Sequence, residues 1–413
     1  MSRVNERAKH SEGGPGGAPR RLLATNQVVG PLMKELLVDL GRAGVRCAVV
    51  TGWIDASPGE TLPFEVLRAC PLVKAPLWKR IATWSWFSLQ ALWRLMRQRR
   101  VPALVVTNPP LAMLAMPLLK RFLGVRYVLM VYDIYPDVGE RMGLIRRGGW
   151  VARVWRALSR RALLDAEGVI TLGTSMADTL RRHLREGDRC DIRVIANWAD
   201  TDVVRPGGGE ANAFAVEHGL AGKMVVMYSG NFGATHDIES IVEAAERLRD
   251  LSDLRVVLSG GGTRELQIRE LVAGKRLPNL LVLPFQPPRE YHALLASADC
   301  AVVTLAEGYE GVSIPSKTYY ALAAGLAVLA ICDAGTELAR VVTESGSGMQ
   351  IPPRRPEVLS EAIRKLYNGR EGLSRVQASA RRAAEAHFSR NKQTRRYLDY
   401  LGVCFGWEAL PEG

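Results

Sequence analysis

The chain has 413 residues, with 55 Lys and Arg against 42 Asp and Glu, a formal net charge of +13, and 47% apolar residues. That is ordinary globular usage, and the length leaves room for two or three cores. No run approaches the ~18–20 apolar residues of a membrane span, and the scattered cysteines and histidines offer no metal-ligand spacing, which points to free thiols of a reducing cytoplasm.

The polar stretch over residues 1–20, with GGPGGAP in it, lacks the apolar core of a signal peptide and reads as a disordered tail. Arg21 to Thr25 is a strand candidate. Gly30 to Gly44 carries apolar residues at 32, 33, 36, 37 and 40, a helical stripe closed by glycine. Val45 to Thr51 reads as a buried strand, Gly52 to Leu67 as loop, and a tryptophan-rich basic helix follows. Val101 to Val106 is a strand that exits into Thr107-Asn108-Pro109-Pro110. Arg126 to Tyr132 is another, exiting into Asp133-Ile134-Tyr135-Pro136-Asp137. A helix over 150–165, a strand at Gly168 to Leu172, a helix at Ser175 to Leu184 and a strand at Ile192 to Ile195 lead to Asn197-Trp198-Ala199-Asp200. This alternation calls for a doubly wound parallel sheet over 21–200. The glycine-rich, polar stretch 201–222 reads as a linker.

A second alternation spans 223–388. Its strands are expected at Met224 to Tyr228, Arg255 to Leu258, Leu280 to Leu283, Ala301 to Thr304 and Leu326 to Ile331. Helices are expected at about 236–250, 264–273, 288–297, 336–345, 356–368 and 372–386, with an amphipathic helix in 389–413. Two such halves imply a cleft onto which both sets of strand ends open.

The positive charge is concentrated. Lys74 to Arg100 and Arg141 to Arg161 each carry seven basic residues and no acid, with Trp78, Trp84, Trp86, Trp93, Trp150 and Trp155 among them. An anionic membrane surface fits that mixture. Simple core packing and nucleic-acid binding compete, the latter the weakest of the three.

The stretch from Thr304 to Ala330 organises the second half. A β-branched strand gives way to a loop with Glu307, Glu310, Gly311, Ser313 and Lys317, and then to a helix ending at Gly325. Pro315 suits a first helical position, with Ser313 and Ser316 as capping candidates. A lysine in a first helical turn is unfavourable to the dipole, and a bound anion reverses that; the alternative is a solvated lysine on a crossover helix. The glycine-rich strand exits at Gly230 to Gly233 and Gly260 to Gly262 let backbone approach a phosphate, although as tight turns they also have a purely geometric explanation.

These residues carry a resemblance. YSGNFG (228–233), LSGGG (258–262), LPFQP (283–287), ADCAVV (298–303) and EGVSIPSKTYYALAAGLAVLA (310–330) resemble the donor domain of the family 4 glycosyltransferases of GT-B fold. TNPPL (107–111), VYDIYPD (131–137) and VIANWAD (194–200) are similar to the first domain of the same family, in an order most like bacterial exopolysaccharide, colanic-acid or O-antigen enzymes. The resemblance implies two Rossmann-like domains of α/β class facing a cleft, and a C-terminal helix crossing back to the first. It implies a retaining transfer from a UDP- or GDP-sugar to a lipid-linked saccharide, without metal or other cofactor, on the cytoplasmic face of the plasma membrane. The pattern departs from the family in three places. The usual glutamate pair E-x7-E is broken, its second member falling on Tyr320 and Glu310 being the best first. The Arg and Lys after the first donor-domain strand are replaced near Asn231 and His236. The acceptor loop is shortened to Asn26 through Pro31.

By that resemblance, Lys317 and the amides near Asn231 and Gly233 stabilise charge on the departing diphosphate. Glu310 accepts sugar hydroxyls, and Gly230, Gly261, Phe285, Gly311, Ser313 and Tyr320 complete the donor site. Asp133 and Asp137 face the acceptor, Asp133 orienting or deprotonating its hydroxyl or simply capping a turn. Two alternatives stand beside transfer: another sugar-nucleotide reaction such as epimerisation, and a non-catalytic basic protein that binds membrane or nucleic acid.

Overall fold

The computed structural model describes residues 20–57, 59–73, 75–207, 212–233, 236–312 and 314–407. All but the last residue of the expected N-terminal tail, and Ser313, lie outside the described residues. Two parallel sheets dominate. The first has the strand order Glu65–Arg68, Arg46–Thr51, Arg21–Thr25, Ala103–Val106, Tyr127–Val131, Gly168–Thr171 and Ile192–Val194. The second runs Leu280–Leu283, Leu254–Gly261, Met224–Asn231, Cys300–Thr304, Ala327–Ile331 and Gly348–Ile351. Every pairing in both sheets is parallel. Crossover helices cover both faces, so the inner strands are continuous apolar runs rather than alternating ones. Ala103–Val106, Tyr127–Val131 and Cys300–Thr304 are buried at every position.

Two edge strands escape sequence reasoning. Glu65–Arg68 lies in the stretch expected to be loop, and Gly348–Ile351 follows a helix after which no strand was expected. Both are edge strands paired on one side only, and neither has a fully buried apolar run to announce it. Within the same expected loop, Trp53–Ile54 pairs with Val28–Val29 in a small parallel ribbon beside the shortened acceptor loop. The stretch expected to be linker carries the helix Ala213–Glu217, capped by Asn212, whose side-chain amide donates to Ala293 O (2.6 Å) and Ser297 Oγ (2.8 Å) of the second unit.

Three apolar clusters hold the molecule. One face of the first sheet packs on the helices Pro31–Arg42 and Arg390–Phe405. The outer face of the second sheet packs on the helices Glu239–Arg247 and Pro356–Asn368. The third cluster is continuous from the other face of the first sheet, through Ile134, Val312 and Ile314, into the second sheet at Val303 and Val328. The two units thus share buried apolar surface, the term that dominates association.

The C-terminal helix Arg390–Phe405 crosses to the first unit, burying Tyr397, Leu398, Leu401 and Phe405 there. The motif at 197–200 builds that crossing. Ala199 N donates to Phe388 O (3.1 Å) and Arg390 N to Ala199 O (3.0 Å). The Arg390 guanidinium binds Asp39 at 2.8 Å and Asp200 at 3.1 Å. Trp198, fully buried, packs its ring edge-on against Tyr397 with centroids 5.8 Å apart.

Candidate functional site

The carboxyl ends of the strands in both sheets open onto the cleft between the units. A cavity of about 860 Å³ lies there, walled on one side by Asn26, Glu35, Asp133 and Asn197 and on the other by Tyr291, Ser316, Lys317 and Tyr320. A neighbouring cavity of about 390 Å³ is lined by Gly230, Asn231, His236, Phe285, Gln286 and Lys317. Lys317 belongs to both, at their junction.

The chain forces this placement. The strand Cys300–Thr304 ends, a loop follows, and the helix Lys317–Ala323 begins at the lysine itself. Pro315, expected at the first helical position, lies before the helix. Thr318 N donates to Pro315 O (3.3 Å) and Tyr319 N to Ser316 O (3.1 Å), a tight turn that enters a helix of seven residues. So short a helix has little dipole of its own, and the amine rather than the helix end carries the site's charge.

That amine is held in an unusual place. Its nitrogen is shielded from solvent, and no hydrogen-bond partner stands beside it among the described residues. It lies 3.9 Å from the ring centroid of Tyr228, which is buried beneath it and donates its hydroxyl to Asn231 O at 2.9 Å. A cation over an aromatic face gains part, not all, of what a carboxylate would supply. Burial pushes the Lys317 pKa down to about 7. Burial, and then the nearby Lys317, hold His236 down at about 4, so its imidazole is neutral at physiological pH.

Glycine makes the space. Gly230 has φ +151, and a Cβ there would stand 3.1 Å from Lys317 Nζ. Gly260, with φ +155, would put a Cβ 1.9 Å from Gly230 O. The two strand exits therefore lie flush against each other only as glycines.

The sequence-derived candidates divide into groups. The structure brings Gly230, Asn231, Phe285 and Lys317 together around the smaller cavity, and Asp133, Tyr320 and Lys317 around the larger. Gly233 and Gly261 line neither; a Cβ on Gly233 would meet Asn231 Nδ2 at 2.7 Å, and one on Gly261 would meet Glu265 Oε2 at 2.6 Å. Glu310 and Gly311 are elsewhere. They line a third cavity, of about 340 Å³, with Arg141, Arg182, Glu337 and Arg340. Gly311, at φ +65, is an inter-unit contact, since a Cβ would stand 2.4 Å from Thr179 Oγ1. Arg141 of the first unit donates to Gly308 O and to Glu310 O (2.9 Å), so it is the main chain of Glu310 that is gripped. Asp137 is also removed from the cleft, bound by His183 at 3.1 Å and Arg156 at 3.6 Å. Asp137 titrates below the usual range: burial opposes this, and the His183 hydrogen bond and the charges of His183 and Arg156 outweigh it.

Several cleft residues had no sequence signal of their own. Glu35 sits on the helix Pro31–Arg42 and accepts from Trp198 Nε1 at 2.7 Å. Burial raises its pKa, against that hydrogen bond and the Arg390 charge. Tyr291 lies edge-on to Tyr320 with centroids 6.1 Å apart. Glu337 is buried, and its Oε2 accepts from the amides of Thr174 (2.9 Å) and Ser175 (3.3 Å) in the opposite unit. Among the described residues no group of three His, Cys, Asp or Glu could hold a metal ion, and no helix is long and apolar enough to cross a membrane.

Known proteins can be set beside this geometry. Residues 212–383 match the family Glycosyl transferases group 1, and residues 29–203 match Glycosyltransferase Family 4. The chain is 28% identical over 260 residues to WbjE of Pseudomonas aeruginosa, named a probable glycosyltransferase, a match that spans 63% of this chain and 64% of that protein. It is 28% identical over 343 residues to WcaI of Escherichia coli K12, named for colanic acid biosynthesis, covering 80% of this chain and 82% of the relative. Among solved structures, sucrose-phosphate synthase of Thermosynechococcus elongatus superposes with a TM-score of 0.76 at 16% identity, over 94% of this chain and 100% of that one. Anabaena HepE in complex with UDP-glucose gives a TM-score of 0.69 at 15% identity, over 92% and 99% of the two chains. Two parallel-sheet units around a cleft, of the same fold as these structures and matched by both family descriptions in chain order, make the architecture GT-B and the chain a member of the family 4 glycosyltransferases.

Proposed function

We propose that the protein moves a sugar from a nucleoside diphosphate sugar to a lipid-linked saccharide, with retention of anomeric configuration, during cell-surface polysaccharide synthesis at a membrane surface. The observation that carries the reading is Lys317. A buried amine without a hydrogen-bond acceptor among the described residues is costly, and an arriving diphosphate relieves that cost. The anion would enter the smaller cavity, which Gly230 and Lys317 both line; at Gly230 a Cβ would stand 3.1 Å from Nζ, so glycine leaves that approach narrow rather than filled. Lys317 would then stabilise charge on the β-phosphate as the glycosidic bond breaks, in a site where preorganised charge is effective because water is excluded. Neutral His236 and the amide of Asn231 offer further donors, and the exposed ring of Phe285 offers a face for the base.

Asp133, on the far wall of the larger cavity, would orient or deprotonate the acceptor hydroxyl. Its main chain is fixed by Thr107, whose Oγ1 donates to Asp133 O at 3.3 Å. HepE, a protein of the same fold, was solved with UDP-glucose, which supports a nucleotide-sugar donor here. The test is a thermal-shift panel of UDP, GDP and their sugars. A ligand at 100 times its dissociation constant adds about 2.7 kcal/mol of stability. No shift with any nucleotide would remove the reading.

A further inference from the structure

The first sheet has one face covered by the helices Leu77–Arg97, Met116–Leu123 and Trp150–Asp165, and their outward sides have exposed apolar side chains with no packing partner among the described residues. On Leu77–Arg97 the buried side holds Trp84, Phe87, Ala91 and Leu95. The opposite side carries Trp78, Leu89 and Trp93, which are 66%, 59% and 43% exposed and recur at helical spacing. Phe122 and Trp150, on the adjoining helices, are 73% and 77% exposed. Isolated exposed apolar residues need no explanation, but a contiguous set on neighbouring helices does.

The charges around this face are mostly basic, and the acids beside it, Glu140, Asp188 and Asp165, are paired with Arg156, Arg160 and Arg161. Over residues 77–123 the sequence has no Asp or Glu, and over 141–164 it has none either. Lys79, Arg97, Arg99, Arg100, Arg121, Arg147 and Arg153 are exposed around the apolar side chains. The guanidiniums of Arg94 and Arg97 lie over the ring of Trp93 at 5.0 and 4.4 Å. Indole rings flanked by guanidiniums, with long basic stems beside them, suit the boundary between acyl chains and anionic headgroups.

We infer that this face docks on an anionic bilayer and that it sets the orientation of the active cleft. The inference deepens the proposed transfer to a lipid-linked acceptor and rests on that reading. The orientation follows from topology. The helix Leu77–Arg97 leaves the carboxyl edge of the first sheet after Glu65–Arg68 and returns to the amino edge before Ala103–Val106. Its Trp78 end is therefore the cleft end. Gln27 ties it there, its Nε2 donating to Cys70 O (3.2 Å) and Thr83 O (3.1 Å).

Tyr135 joins the docking helices to the loop that presents Asp133. Its ring meets Trp84 edge-on and stacks on Trp155, each with centroids 5.8 Å apart. A bilayer along this flank places the cleft mouth at the level of the headgroups. The saccharide of a lipid-linked acceptor can then reach Asp133 while its lipid stays in the membrane.

The test uses the full chain and vesicles of phosphatidylglycerol or of phosphatidylcholine alone. Wild-type protein floats with the anionic vesicles and remains free with the neutral ones. Trp78→Ser, Leu89→Ser and Trp93→Ser together weaken anionic binding at least about tenfold, because both insertion and the cation–π pairs are lost. Nucleotide thermal shifts stay unchanged in that variant, which separates failure of docking from failure of the transferase reading. An environment-sensitive label blue-shifts on vesicles at Leu89→Cys but not at Val403→Cys, an exposed site on the helix behind the opposite face of the sheet. Wild type that ignores anionic vesicles, or a triple variant that binds within twofold of wild type, overturns the inference. So does a dimer that the triple variant dissociates, since a second copy would then cover the face, or equal competition by an oligonucleotide for the same residues.

Discussion

Lys317 and Glu310 sit at two ends of one loop, seven residues apart, and the structure treats them oppositely. The lysine end is under-satisfied. Its amine is buried over Tyr228, with no hydrogen-bond acceptor beside it among the described residues. The glutamate end is anchored by the other unit: Arg141 holds the carbonyls of Gly308 and Glu310, Gly311 packs against Thr179, and Ile134 N donates to Val312 O at 3.4 Å. Fixing one end of a loop against the opposite unit reduces the freedom of the other end, which is how a cation stays where solvent would otherwise draw it out. Polar residues of one loop therefore need not face the same cavity: Lys317 lines the cleft and Glu310 the inter-unit contact.

The largest expected effect comes from the lysine end. Lys317→Ala lowers kcat/KM by about 10²–10³, the usual loss for one preorganised charge-stabilising donor. Lys317→Met has the same loss with a melting temperature equal to or above wild type, because a buried unpaired charge is removed. Turnover close to wild type in either variant would break the comparison at its first term.

The next effect is on pH. The amine's pKa lies at about 7 without ligand, and a diphosphate sugar, fully ionised in this range, raises it on binding. Affinity is therefore level below pH 7 and falls as pH rises above it, by up to about tenfold per unit, until the pKa of the bound state is passed. Calorimetry with an intact donor sugar in buffers of different ionisation enthalpy should show proton uptake at pH 8 and little at pH 6. Uptake that is equal at both would remove Lys317 as the coupled group.

The anchored end should respond structurally. Glu337→Ala uncaps the amides of Thr174 and Ser175 and leaves Arg340 with only Glu344 and Thr174, at about 0.5–2 kcal/mol of stability. Glu337→Gln keeps an acceptor oxygen and restores part of the loss. Gly311→Ala adds a Cβ 2.4 Å from Thr179 Oγ1 at a positive φ, so it should spread the cleft, seen as a larger radius of gyration by small-angle scattering. An unchanged radius and an unchanged melting temperature in both would show that the contact is not an anchor.

The smallest effect sharpens the contrast. Glu310→Gln should change kcat/KM by no more than about twofold, as for a surface substitution, because Arg141 binds the main chain at 310 and not the carboxylate. A hundredfold loss would return the carboxylate to the donor sugar and erase the difference between the two ends.

Much of the architecture was legible because parallel α/β structure writes itself in long signals. Strands such as Tyr127–Val131 and Cys300–Thr304 are buried on both faces and appear as unbroken apolar runs. The strands that were missed, Glu65–Arg68 and Gly348–Ile351, are edge strands paired on one side only, and their partly exposed residues form no unbroken apolar run. Lys317 was legible from a proline–serine–lysine turn after a buried strand. Glu35, Tyr291 and Glu337 were not, because their functional surroundings arrive from other parts of the chain: Glu35 meets Trp198, and Glu337 meets Thr174, across 163 residues each.

The sequence by itself determined the two alternating halves, the glycine-lined strand exits, the basic tryptophan-bearing helices and the lysine at a loop end. Each depends on local periodicity or on backbone chemistry that a residue carries with it. Only the tertiary structure decided which of those groups share a cavity. The ion-pairing of Asp137 with His183, the removal of Glu310 and Gly311 to the inter-unit contact and the isolation of the Lys317 amine all depend on how two separately wound sheets meet. Burial and electrostatics act through space, and a charge's surroundings are fixed by the whole packed chain rather than by its sequence neighbours.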